Sequence, residues 1–371
     1  MKILFACGGT AGHINPALAV AGILKEKRPD TQFLFAGNPK GMEARLVHAA
    51  GYPFVPIEVL GFQRKLSFHN LKKNALAVKH LLAASGKAKK IIQDFAPDIC
   101  MGTGGHVSGP VVRQAAKMRV PTLTHEQNAY PGVTTKLLCH YVDKVLLAVA
   151  GAEEYLPKGT DCVVTGNPVR SEILSADRAA ARRALRVGDR VCLLSFGGSL
   201  GAKRINQAVA DLMAWHYGKE NIHHIHATGH HGTELFPKLL EERGVDIIGE
   251  THIDVRAYID NMAECLAAAD LVICRAGAIS ISELQAAGKA SILIPSPNVA
   301  ENHQFHNARV LTTKNAAILI EEKDLTGKRL VETVAGLVSD PQELRNIGRN
   351  AASMAIADAG ERICGEIENL L

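Results

Sequence analysis

The chain has 371 residues, of which 47% are hydrophobic, 21% charged and 5% aromatic. That length and apolar content exclude a disordered tail and point to two domains with their own cores, and so few aromatic rings argue against base-stacking platforms for single-stranded nucleic acid. A net charge of +5 is too modest to mark a nucleic-acid partner, and no stretch approaches the ~20 apolar residues that span a bilayer.

Short apolar runs alternate with helix-patterned segments from end to end. The first half offers strands at 2–7, 32–37, 54–59, 98–103, 121–126 and 144–149, and the second at 190–196, 223–229, 245–250, 270–277, 290–296 and 316–322. Runs apolar on both faces, with helices between them, mean parallel sheets covered on both sides. The expectation is an α/β protein of two Rossmann-like domains, six strands each, facing across a cleft. The break falls in VVTGNPVRSEIL (163–174), where a Gly-Asn-Pro turn interrupts the pattern and a serine starts a new helix. The domains are therefore expected at 1–165 and 166–340, with a helical end at 341–371 packing back on the first. The apolar run at the amino terminus is too short for a signal peptide, and the eight cysteines form no CxxC pair, so a reducing cytoplasm is the economical compartment.

An internal echo supports the division. ACGGTAGHINPALAV (6–20) and SFGGSLGAKRINQAV (195–209) align with Gly8 on Gly197, Gly9 on Gly198, Thr10 on Ser199 and Gly12 on Gly201, each at the end of a domain's first strand. Such loops turn tightly and bring backbone N–H groups to a phosphate at a helix N-terminus. Neither is GxGxxG, which disfavours a nicotinamide cofactor. A third cluster, Gly102 to His106, follows the fourth strand and includes Gly104 and Gly105. One such loop alone is as readily a plain strand-to-helix turn; three at strand ends favour phosphate binding.

His13 stands just beyond the first loop, and His106 and His125 follow or end other strands of the same half. A neutral imidazole placed there can take a proton from a hydroxyl, whereas most of the sixteen histidines are surface or hydrogen-bonded core residues. In the second half, Arg275 to Glu283 runs from a strand end into a helix. Its small residues let a ligand approach the helix N-terminus, and Glu283 can accept two hydrogen bonds from a ribose diol, or else be an ordinary first-turn acid. The polar cluster Glu301 to Asn307 suits sugar hydroxyls, with a capping loop as the plain alternative. No DxD-like carboxylate pair follows a strand in this half, so no metal and no other cofactor is expected.

Taken in order, GGTAGHINPALAVA, GTGGHVSGP, HEQNAYPG, TGNPVR, GGSLGA, RAGAISISE and NHQFHNA closely resemble the UDP-N-acetylglucosamine:lipid I N-acetylglucosaminyltransferases of bacterial peptidoglycan synthesis, the MurG family. The resemblance is spread over nearly the whole chain. It implies a GT-B fold and metal-independent, inverting transfer of GlcNAc from UDP-GlcNAc to the muramyl C4 hydroxyl of lipid I, giving lipid II. By the same resemblance the second domain holds the donor. Ser199 and Arg170 look like contacts on the diphosphate side, Ile259 like the backbone contact to uracil, and Ala278, Ile279, Ser280, Ile281, Ser282 and Glu283 like the helix that holds phosphate and ribose. Gln304, with Asn307, resembles the group that reads donor-sugar hydroxyls. From the first domain Thr10, Ala11, Gly12, His13 and Asn128 complete the site, while Gly9, Gly104, Gly105 and His106 face the acceptor diphosphate. His303 stands where a variable polar residue is expected. Whether His13 is the general base or a diphosphate ligand stays open.

Between Glu58 and Asp94 lie eight Lys or Arg (64, 65, 72, 73, 79, 87, 89 and 90) and no acidic residue, with Leu71, Ala75, Val78, Leu81 and Leu82 at helical spacing. Such a segment (64–90) can rest on an anionic bilayer, or be a core-facing helix with a solvated basic side. The charge asymmetry favours a peripheral place on the cytoplasmic face of the cell membrane, near a lipid-anchored acceptor, with other cell-wall synthesis proteins as further candidate partners. Two other classes compete. A UDP-GlcNAc 2-epimerase shares fold and donor but needs no lipid acceptor, and a sugar-nucleotide sensor would show no turnover.

Overall fold

The apolar runs assemble into two separate parallel sheets. A computed structural model describes residues 1–59 and 68–371, and the side chains of these except 68–79, 81 and 82. The chain divides into two compact units, Met1–Pro168 with Asp358–Leu371, and Val169–Ala357.

The first unit alternates β1 (Lys2–Ala6), α1 (Ala11–Lys27), β2 (Gln32–Gly37), α2 (Met42–Ala49), β3 (Phe54–Pro56), α3 (Phe68–Phe95), β4 (Ile99–Gly102), α4 (Ser108–Lys117), β5 (Thr122–Glu126), α5 (Val133–Leu138), β6 (Lys144–Leu147) and β7 (Cys162–Val164). The strands form one sheet in the order β3-β2-β1-β4-β5-β6-β7, every pairing parallel. Successive side chains of a strand point to opposite faces, so β1 feeds two cores. Ile3 and Phe5 join α1 on one face, whereas Leu4 and Ala6 join α3 and α4 on the other.

The second unit contains α6 (Ser171–Ser175), α7 (Arg178–Ala184), β8 (Val191–Phe196), α8 (Lys203–His216), β9 (Ile222–Ala227), α9 (Leu235–Glu241), β10 (Ile253–Arg256), α10 (Met262–Ala268), β11 (Leu271–Cys274), α11 (Ala278–Ala286), β12 (Ala290–Leu293), α12 (His303–Thr312), β13 (Ile318–Leu319), α13 (Gly327–Ser339) and α14 (Pro341–Ser353). Its parallel sheet runs β10-β9-β8-β11-β12-β13. In both sheets the strand order reverses beside the first strand, between β1 and β4 and between β8 and β11. Ligands of open α/β sheets bind at that switch point, outside the carboxyl ends of the strands. Three of the four loops there are the glycine clusters read from sequence, and the fourth opens α11.

The structure departs from the sequence reading at several places. The run 245–250 is not a strand. Gly244 and Gly249 have φ of +69° and +77°, and Asp246 Oδ1 accepts from Ile248 N at 2.9 Å. These left-handed glycines and the Asx turn close the segment after α9, and the strand that pairs with β9 comes later, at Ile253–Arg256. Conversely, Cys162–Val164 adds a seventh strand to the first sheet, paired from Val145↔Cys162 onward. The boundary falls at Pro168/Val169. Of the stretch 341–371, only the end belongs with the first unit. There α15 (Ala359–Asn369) buries Ile363, Cys364 and Ile367 in the α1 core, and Arg28 Nε meets Glu368 Oε1 at 2.9 Å. Helix α14 instead lies in the second unit, where a Cβ on Gly348 would come within 2.6 Å of the Gly288 carbonyl oxygen.

Of the basic segment, residues 64 and 65 and the side chains at 71–73, 75, 78, 79, 81 and 82 lie outside those described. Lys87, Lys89 and Lys90 are exposed on α3, while Ala84, Ala88 and Ile92 are buried against the sheet. No helix among the described residues is long and apolar enough to cross a membrane.

Candidate functional site

In the first unit the loop after β1 turns at Gly9, whose φ of +88° is open to glycine, and Thr10 is the N-cap of α1. The Thr10 hydroxyl makes no capping hydrogen bond and the first turn of α1 carries no acidic residue. The amide groups of Ala11 and Gly12 thus begin a helix N-terminus suited to an anion. Gly104 and Gly105, at φ +106° and +82°, close on this loop from β4. A Cβ on Gly105 would lie 2.2 Å from the Gly8 carbonyl oxygen, and one on Gly104 would lie 2.5 Å from His13 Nδ1. Two loops far apart in sequence therefore touch, and any side chain at these positions would force them apart. His106 follows, exposed to solvent.

His13, in the first turn of α1, is half-buried, and its Nδ1 lies 2.9 Å from Gln127 Oε1. Gln127 is itself buried at the end of β5, with its Nε2 2.9 Å from Thr103 O, His125 Nδ1 and His125 O. His125 is fully buried and reaches Gly166 O through Nε2 at 2.9 Å. Burial, more than any neighbour, pushes its pKa below the ordinary imidazole value. It is thus a neutral hydrogen-bonding core residue rather than a group that meets a ligand. Asn128 is held by Glu126, whose Oε1 accepts from both its backbone N and its Nδ2 at 3.0 Å.

In the second unit the loop after β8 turns at Gly198 (φ +95°), the counterpart of Gly9. The echo stops there. Gly201 is left-handed and its Cβ would strike the Thr228 carbonyl oxygen at 2.2 Å, so α8 starts only at Lys203, whereas Gly12 is already inside α1. Ser199 is exposed, and its carbonyl accepts from His230 N at 3.1 Å. Ile259 is buried just beyond β10.

Helix α11 begins after Gly277, again with no side-chain cap and no acid in its first turn. Ile281 N closes the first helical bond, to Gly277 O at 2.9 Å, leaving the amides of Ala278, Ile279 and Ser280 as the donors at the tip. The Ile281 side chain is buried in the core, and Ser282 Oγ donates back to Ala278 O at 3.1 Å. Glu283 Oε1 accepts from Arg170 Nε at 3.0 Å. Its carboxyl is pushed up by burial, an effect larger than the opposing pull of the Arg170 guanidinium. Gln304 Oε1 accepts from Ser296 N at 2.9 Å, which leaves its NH2 as the group on offer. Asn307 is buried, and its Nδ2 donates to Ala276 O at 3.2 Å. That seat favours a role in holding the β11–α11 turn over one in reading sugar hydroxyls. His303 Nδ1 lies 2.8 Å from Ala300 O.

Three supporting residues escaped the sequence reading. Buried Glu43 accepts from Gly9 N at 3.2 Å and Asn38 N at 2.9 Å, bracing the first glycine loop from α2. Glu126 also accepts from Gly132 N at 2.9 Å and Thr135 Oγ1 at 2.5 Å, fixing the loop that carries Asn128. Gln127 links His13 to His125. The last two lie inside HEQNAYPG, so the motif pointed at them without saying what they touch. Nothing in the sequence around Glu43 marks it.

Comparison with known proteins gives a consistent picture. The glycosyltransferase family 28 N-terminal domain matches residues 3–147 and the glycosyltransferase family 28 C-terminal domain matches 192–363. A protein of Acetivibrio thermocellus is 45% identical over 372 aligned residues, covering 100% of this chain and 98% of the relative; it is named UDP-N-acetylglucosamine–N-acetylmuramyl-(pentapeptide) pyrophosphoryl-undecaprenol N-acetylglucosamine transferase. A protein of the same name from Desulforamulus reducens is 40% identical, covering 100% of this chain and 99% of its own length. Among solved structures, MurG of Acinetobacter baumannii superposes with a TM-score of 0.78 at 28% identity, covering 99% of each chain.

Proposed function

We infer, from the premise that this chain belongs to glycosyltransferase family 28 and within it to the lipid I N-acetylglucosaminyltransferases, that it is a UDP-GlcNAc-dependent N-acetylglucosaminyltransferase of the GT-B class. It transfers GlcNAc from UDP-GlcNAc to undecaprenyl-pyrophosphoryl-MurNAc-pentapeptide, a step of peptidoglycan synthesis. The observation that carries this is the 45% identity to a protein of that name along the full chain.

The finer chemistry is our reading of the residues. The uncapped tip of α11 offers amide donors to the diphosphate of the donor, Glu283 takes the ribose diol, and Gln304 offers its NH2 to a sugar hydroxyl. Transfer with inversion requires the muramyl C4 hydroxyl to attack the anomeric carbon opposite the leaving UDP. The new C–O bond forms as the bond to the β-phosphate oxygen breaks, and the hydroxyl proton passes to His13. Backbone N–H groups at a helix tip meet charge developing on the diphosphate without reorganisation, the kind of stabilisation that dominates many enzymatic barriers. The free amides at the α1 tip and the Gly104–Gly105 turn suit the second diphosphate, that of the acceptor.

We further propose that the segment 64–90 lies on anionic lipid at the cytoplasmic face of the membrane. Eight basic and no acidic side chains between Glu58 and Asp94 support this.

The test is UDP release from UDP-GlcNAc with and without a lipid I analogue. Release that depends on the analogue and persists in excess EDTA is expected. Release independent of it, or appearance of UDP-ManNAc from UDP-GlcNAc alone, would overturn the assignment in favour of a hydrolase or an epimerase.

A further inference from the structure

Among the described residues, the ring of His13 is hydrogen-bonded at one nitrogen. Its Nδ1 lies 2.9 Å from Gln127 Oε1, and Nε2 has no partner among the described residues. An amide group can point either way round, but here its direction is forced. The other terminal atom of Gln127 lies 2.9 Å from the carbonyl oxygens of Thr103 and His125, which can only accept. That atom must be the NH2, so the atom facing His13 is the amide oxygen, which also only accepts. His13 Nδ1 therefore carries a proton, and in the neutral ring the free lone pair is on Nε2.

The same logic extends one residue further. His125 Nε2 faces the Gly166 carbonyl at 2.9 Å and so bears the hydrogen, which leaves His125 Nδ1 to accept from Gln127 at 2.9 Å. All four groups agree on one direction of donation, from His13 through Gln127, with Gln127 held by Thr103 and by His125. Asn167 Nδ2 also donates to Gln127 O at 3.1 Å. The ring is located from two more sides. Thr103 Oγ1 donates to His13 O at 2.6 Å, and the missing side chain of Gly104 makes room for the imidazole.

We propose that Gln127 is a positioning residue that fixes His13 as its Nδ1–H tautomer and thereby presents Nε2 as the acceptor of the hydroxyl proton. This rests on the reading of His13 as the general base. The arrangement does with a neutral amide what an aspartate does for the histidine of a Ser-His-Asp triad, where the partner sets tautomer and orientation. An amide sets the tautomer without adding a negative charge beside the ring.

The test uses the full chain labelled with nitrogen-15 histidine at mildly alkaline pH, the His13 signal being identified by its loss in His13→Ala. Long-range nitrogen–proton correlations report which ring nitrogen carries hydrogen. We expect Nδ1–H at His13 in the unaltered chain. In Gln127→Leu the ring is expected to shift toward the Nε2–H form, with kcat falling on the order of 10- to 100-fold while the dissociation constant for UDP-GlcNAc is unchanged. Gln127→Glu keeps an oxygen acceptor opposite Nδ1 and, protonated on the oxygen that faces the carbonyls of Thr103 and His125, should retain the Nδ1–H form and recover most of the lost kcat. His13 protonated on Nε2 in the unaltered chain overturns the proposal, as does a Gln127→Leu protein with tautomer and kcat both unchanged. If the leucine variant does not fold, the unaltered chain and the glutamate variant decide alone. Failure of the base reading is separately visible, as near-normal kcat of His13→Ala at saturating acceptor. A wrong tautomer in the presence of an inactive His13→Ala overturns only the positioning role of Gln127.

Discussion

The roles proposed for single residues can be measured one at a time. Replacing Glu283 by Ala removes a largely buried carboxylate and leaves Arg170 without its partner. UDP and UDP-GlcNAc should then weaken alike, by about 1–3 kcal/mol for a lost charge-assisted hydrogen bond. Gln304→Ala should weaken UDP-GlcNAc far more than UDP, because its NH2 is assigned to the sugar; calorimetric titration with both ligands separates the two, and equal losses in the Gln304 variant would end this division. His13→Ala should lower kcat by ~10²–10⁴-fold with UDP-GlcNAc affinity nearly unchanged, the usual range for a lost general base. A raised acceptor KM with kcat intact would instead make His13 a diphosphate ligand. At this scale the sequence names candidates for the chemistry, and the structure adds the residues that hold those candidates in place. Glu43, Glu126 and Gln127 act through contacts made only when α2, β5 and the glycine loops come together, and no local spacing encodes such a meeting.

At the scale of one element, β9 carries an unusual load. His224 and His226 share its inner face, each 2.8 Å from Ser195 Oγ, and His224 Nδ1 also meets His216 Nε2 at 2.9 Å. Burial drives their pKa values down, to about 4 for His216, to about 3 for His226, and well below the ordinary value for His224. A histidine whose folded pKa is depressed stays neutral in the fold but takes up a proton on unfolding below ~6.5. Its share of stability is therefore complete above that pH and is lost as pH falls through it. His216 and His226 together should remove about 3–4 kcal/mol between about pH 7 and pH 5. Urea unfolding followed by fluorescence of Trp215, the single tryptophan and a member of α8, reads this unit directly. His226→Phe should flatten the slope; a stability independent of pH over that range would refute the account. Elements also show where periodicity misleads. VDIIGE has the composition of a strand, yet two left-handed glycines and an Asx turn make it a loop, and the true strand, IDVR, is recognisable only as the partner of β9.

For the whole molecule, the final fourteen residues belong to the first unit although the chain has by then built the second. Ile363, Cys364 and Ile367 are fully buried beside α1, and Lys144 Nζ meets Glu366 at 2.8 Å. Ending the chain at Ala357 should cost the first unit about 4–9 kcal/mol, taking ~1.5–3 kcal/mol per buried apolar side chain as an upper bound. The Trp215 transition, which reports on the second unit, should hardly move. Urea unfolding watched by circular dichroism and by Trp215 together checks this, and a parallel fall in both signals would show that α15 supports both units.

What the sequence alone determined is whatever depends on neighbours along the chain. Apolar runs between amphipathic segments specify buried parallel strands, and glycines at strand ends specify turns with φ near +90°, because the backbone conformation there excludes a Cβ. The ordered motifs were likewise enough to reach the family. Tertiary structure alone decided which half of the C-terminal stretch returns to the first unit, why the glycine echo ends before Gly201, and how His13 is held. Each of these turns on atoms brought together from distant parts of the chain. Gly201 is pinned by the carbonyl of Thr228, α15 by the flank of α1, and the imidazole of His13 by an amide 114 residues away, whose own direction is set by the carbonyls of Thr103 and His125.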